Sequence, residues 1–109
     1  MIRANLKAGA QGVVGSLTAV ANGTITVPNS AGAQAVSIVA NNSQSASYTL
    51  QLSPKSGEYD SILIEAKGVS TSSDRYGCIV VPKSDSDLVL TCSYNGTVSI
   101  PEIKYTITP

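Results

Sequence analysis

The sequence predicts an all-β protein: a single-domain antiparallel β-sandwich of eight or nine short strands, jelly-roll-like, with an Ig-like arrangement as the alternative. Three observations predict it. Apolar residues alternate with polar ones at period two, and β-branched residues are abundant, in one short segment after another. Clusters of Gly, Pro, Asn, Asp and Ser separate these segments at the roughly 8–12-residue spacing of sandwiches and barrels. No stretch carries a convincing helical period. At 109 residues the chain is one domain, long enough to bury a core without metals or staples.

The elements follow in order. Residues 1–12, "MIRANLKAGAQG", read as an extended N-terminal arm, because Gly9 and the short length argue against a helix, and the sandwich then occupies 13–109. Strand patterns follow as "SLTAV", "TITV", "AVSIV", "SYTLQLS", "DSILIEA", "GCIVVP", "LVLTCSY", "TVSI" and "IKYTIT". Pro28 and Pro101 follow strands and end ladder pairing, since proline lacks the donor.

Two turns look specific. "NGTITVP" at 22–28 and "NGTVSIP" at 95–101 each open with Asn-Gly, the pair that tolerates the positive φ of a type I′ hairpin. Such hairpins place Val20 opposite Ile25 and Ser93 opposite Val98. Their first strands differ, so convergence on a good turn explains the echo better than duplication does. The same segments are N-glycosylation sequons, read here as idle because residues 1–12 hold no signal peptide.

In "CIVVPKSDSDLVLTC" two apolar strands flank a polar loop, and a hairpin centred on Asp85 sets Cys78 opposite Cys92. That register allows a disulfide, although two reduced, buried thiols are the favoured reading for a protein made in the cytoplasm. Both faces of this hairpin are apolar, so one face would meet a further cover or another subunit.

Composition excludes several function classes. The sequence has no His, so His triads and His-ligated zinc are ruled out. Net charge is zero and the seven Lys and Arg are scattered, which argues against nucleic acid. No apolar run reaches the roughly 20 residues of a membrane-spanning helix. Glu58 with Asp60, and Asp85 with Asp87, sit in Ser-rich turns where carboxylates serve as turn formers rather than acid-base pairs. No cofactor is expected. Tyr59 and Tyr76, flanked by "GE" and "DR", are the candidate loop platforms for a ligand such as a sugar, whereas Tyr48 and Tyr105 read as core or interface fillers.

Only 13% of residues are charged, against about 25% in ordinary domains, and Ser and Thr supply the polarity. A surface of hydroxyls and amides suits protein packed beside protein. Together with Met1, no export signal, no His and a short arm before an all-β domain, this profile resembles the small decoration or cement (staple) proteins of tailed-bacteriophage capsids. The resemblance is of overall style and has no motif that carries over residue by residue. It implies a non-enzymatic virion protein that reinforces the major capsid protein shell, with that shell as partner and a homo-oligomeric state. Ile2 and Leu6 of the arm become the expected apolar anchors. A carbohydrate-binding or adhesin module, and a self-assembling fibre or spike subunit, are the alternatives. The expected location is the virion, or the cell surface or outside the cell if Met1 is not the natural start.

Overall fold

A computed structural model describes residues 13–41, 48–66, 69, 74–96 and 102–109. Eight strands fill them: β1 (Val13–Thr18), β2 (Asn22–Thr26), β3 (Ala35–Asn41), β4 (Thr49–Pro54), β5 (Tyr59–Ala66), β6 (Arg75–Pro82), β7 (Val89–Asn95) and β8 (Glu102–Thr108). Every pairing is antiparallel, and no described residue is helical. The strands form a five-stranded sheet of order β1-β8-β3-β6-β5 and a three-stranded sheet of order β2-β7-β4.

That order identifies the topology. The pairs β1:β8, β2:β7 and β3:β6 nest inside one another, as when a long double strand is rolled into two sheets, which is the jelly roll. Ig-like sheets instead pair consecutive strands, such as the first with the second. Here β1 and β2 lie in different sheets, as do β6 and β7. The roll departs from symmetry at one strand. β5 leaves β4 and joins β6 on the edge of the larger sheet, while a lone bridge between Leu50 and Val69 covers the edge of β4.

The alternation read from sequence marks the inward face. Buried positions recur at every second residue in β4 (Leu50, Leu52, Pro54), β6 (Tyr76, Cys78, Val80, Pro82) and β8 (Ile103, Tyr105, Ile107). With Val36, Ile38 and Ala40 of β3 and Leu90, Cys92 and Tyr94 of β7 they build one core. Tyr48 and Tyr94 pack tilted within it, ring centroids 5.4 Å apart.

Both expected Asn-Gly hairpins are corrected. Asn22 and Gly23 lie inside β2, opposite Ser93 and Cys92, and neither has positive φ. Asn95 ends β7 and Gly96 follows it, again without positive φ. Among the described residues the left-handed region is used by Asn29, Gly32 and Gly57. The expected meander through Ile100 also fails at its first pair, because β6 and β7 lie in different sheets. Residues 97–101 are outside the described residues, as is the arm with Ile2 and Leu6.

The Cys78–Cys92 register is corrected for the same reason. Cys78 pairs with Ile38 and Glu65, and Cys92 with Gly23 and Leu52. Both thiols are free and buried. Cys92 Sγ accepts from the Val20 amide at 3.4 Å and donates to the Val20 carbonyl at 3.6 Å, which holds the β1–β2 connection.

One end of the roll is tied by a clamp between the β2–β3 and β6–β7 loops. Asp87 Oδ1 accepts from the amides of Ser30 and Ala31, each at 2.9 Å, and Oδ2 from Asn29 at 3.3 Å. Successive amides around one carboxylate form an anion nest. Beneath it the fully buried Ser30 hydroxyl donates to the Val27 carbonyl (2.7 Å) and accepts from the Leu88 amide (2.9 Å). Asp87 thus forms a turn, but a long-range one.

Candidate functional site

The two outward faces of the sandwich are built differently. On the three-stranded sheet the rows Thr24–Thr91–Ser53 and Asn22–Ser93–Gln51 run across β2, β7 and β4, with Thr26, Val89, Thr49 and Asn95 completing the face. All but Val89 are hydroxyls or amides, and none is charged.

The outward face of the five-stranded sheet carries apolar side chains instead. One row runs Ile64–Ile79–Ser37–Thr106–Val14 across β5, β6, β3, β8 and β1. Val39 and Val81 lie on the same face of β3 and β6. Val14 is 68% exposed, Leu63 59%, Ile64 57% and Val39 40%. Leu63 joins the patch because the register slips between Ile62 and Ile64, so two consecutive side chains of β5 are left in solvent. Its charges are Arg75 at the end of β6 and an exposed pair, Lys104 Nζ to Glu102 Oε1 at 3.8 Å. An exposed pair of that kind contributes little.

The candidate residues read from sequence fall elsewhere. Tyr59 opens β5, faces inward opposite Pro82, and packs half-buried on the core. Tyr76 is corrected outright: it sits in β6 opposite Ala40, 2% exposed, at the far end of that strand from Pro82. The two therefore do not form one exposed platform. Burial first, and then the neighbouring Cys78 thiol, hold the Tyr76 phenol well above the usual tyrosine range. Its hydroxyl lacks a hydrogen bond of good geometry despite that neighbour. Burial likewise raises the thiols of Cys78 and Cys92, which keeps them protonated and unreactive at neutral pH. Among the described residues no group of three or more Cys, Asp and Glu is arranged to hold a metal ion.

Leu63, Ile64 and Val14 were not singled out by sequence reasoning. The signal for the first two is in "SILIEA", where three consecutive apolar residues interrupt a period-two pattern. Val14 is the second of a Val-Val pair with the same property.

No helix among the described residues is long and apolar enough to cross a membrane. No protein-family model and no curated protein matches the chain. Among solved structures the chain is similar to the IMPa metallopeptidase from Pseudomonas aeruginosa, at 14% identity and a TM-score of 0.42, over 91% of this chain and 12% of that one.

Proposed function

We propose that this chain is a capsid decoration (cement) protein that docks the apolar outer face of its five-stranded sheet on a shell of major capsid protein. The observation that carries the reading is the exposure of Val14, Val39, Leu63 and Ile64 on one face, while the other face is hydroxyl and amide apart from Val89. Large exposed apolar residues grouped on one face mark an interaction surface. A protein surface suits that face better than a charged polymer does, because its charges are few and of both signs, with Lys104 beside Val39 and paired to Glu102.

Magnitudes set the mode of action. Fully burying a Val, Leu or Ile side chain is worth roughly 1.5–3 kcal/mol. Association costs an estimated 4–15 kcal/mol, so four partly exposed side chains give weak binding per copy. A repeated shell lattice compensates, because linked or neighbouring copies bind with avidity. A cement protein acts in that regime: many weak, identical contacts spread over subunit boundaries.

The test is co-sedimentation with mature shells of the virus whose genome carries the sequence, stripped of this protein. Wild-type protein should pellet with shells and Ile64→Lys should stay in the supernatant. Wild-type protein that stays in the supernatant sinks the proposal.

A further inference from the structure

A sheet edge presents a row of backbone donors and acceptors, and soluble proteins blunt such edges. Three of the four edges here are blunted. β5 slips register at Asp60 and at Leu63 and carries Asp60 and Glu65. β4 gives its Leu50 amide to the Val69 carbonyl at 2.9 Å and ends on Pro54. β2 has five residues and begins with Asn-Gly, a poor strand former.

β1 has none of these devices. Its six residues, Val-Val-Gly-Ser-Leu-Thr, pair in unbroken register with β8 and contain no charge and no proline. Its other side has no strand partner among the described residues. Val13 and Leu17, which face the core, are only half-buried, so the core is unfinished along this edge. Gly15 lies under the ring of Tyr105, which covers the missing side chain.

We infer that β1 pairs antiparallel with β1 of a second copy across a two-fold axis, joining two five-stranded sheets into one of ten strands. A second copy fits because a two-fold sets the strand against itself, and an uncharged strand meets itself without repulsion. Side chains must keep their faces, which requires odd residues opposite odd. Centring on Gly15 meets this condition and sets Val13 against Leu17 of the other copy, twice, closing the half-buried margin. On the outer face Val14 then lies opposite Ser16. Such an edge is smaller than the roughly 1,200 Å² of stable interfaces, so the dimer is weak and favoured where copies are crowded. The inference is independent of any shell.

The experiment uses the protein alone. Sedimentation equilibrium from micromolar to millimolar concentration should show a reversible monomer–dimer, and amide exchange in residues 13–18 should slow as concentration rises. Ser16→Glu, which places its carboxylate opposite Lys104 of its own sheet, should leave the monomer folded and weaken the dimer about tenfold through two spoiled cross-strand contacts. A mixture of Val14→Cys chains with Ser16→Cys chains should cross-link faster on mild oxidation than either alone. A wild-type monomer at every concentration overturns the inference. So does a dimer unmoved by Ser16→Glu, or one weakened equally by Ile64→Lys on the opposite edge. Cross-linking fastest in Ser16→Cys alone overturns the Gly15-centred register.

Discussion

The outer faces of the two sheets share one core and one chain, yet only the larger sheet exposes Val14, Val39, Leu63 and Ile64, while the smaller shows Thr24, Thr91, Ser93 and Gln51. Stability does not require this difference, because outward residues of either sheet contribute little to the core. Hydroxyls would serve the larger sheet as well as they serve the smaller. The proposed docking role would explain the apolar side chains, and substitutions on the two faces separate that role from scaffolding.

The largest effect should come from the clamp that supports both faces alike. Ser30→Ala leaves the buried Leu88 amide without its acceptor and removes the donor to Val27, which should cost about 3 kcal/mol. Chemical denaturation measures it, and association with shells should fall only in step with the folded fraction. Gly15→Ala comes next. A Cβ there would strike the Tyr105 ring, and overpacking of this kind costs about 1–3 kcal/mol. Thermal melting should show the loss, whereas Gly57→Ala, with open space around it, tests strain at positive φ alone.

Alkaline pH has a smaller, graded effect. Burial raises the thiols of Cys78 and Cys92 above their ordinary value of 9.0, so between that value and the folded one the unfolded chain loses protons that the folded chain keeps. Stability is therefore fully present below about pH 9 and falls above it, by at most about 1.4 kcal/mol per pH unit for each thiol. The raised phenols of Tyr48 and Tyr76 extend the fall at higher pH. Cys78→Ala with Cys92→Ala should flatten the first part of the slope, and denaturation midpoints across pH would show it. The smallest change in stability is the most telling. Leu63→Lys and Thr24→Lys should each shift stability by less than about 0.5 kcal/mol. Only Leu63→Lys should abolish shell association, and equal losses from both would erase the distinction between the faces.

Much of the fold is legible in the sequence because period two reports which side of a strand is wet. "SYTLQLS", "GCIVVP" and "IKYTIT" map onto β4, β6 and β8 with the expected residues buried. Partners are not legible, because alternation says which face and never which neighbour. Asn22-Gly23 shows the cost: local chemistry favours a tight hairpin, and the rolled topology sets the same residues in a ladder with Ser93 and Cys92. Asp87 shows it again. Its amide partners are 56 to 58 residues away, so "SDSD" reads as a local turn and its long-range role is invisible. Tyr76 went to the core because "DRYGCIVV" begins the strand two residues before the apolar run announces it.

The nested pairing also bears on how fast the chain folds. Val13 is matched with Ile107, Asn22 with Ser93 and Val36 with Val80, so nearly every ladder closes a long loop. β8 is wedged between β1 and β3, so without it β1 has no ladder partner and β3 keeps only β6. Refolding should be slow for a protein of this length, as for other domains of high contact order. Removing β8 should cost more than its length suggests, because it leaves β1 without a partner and opens a new edge on β3.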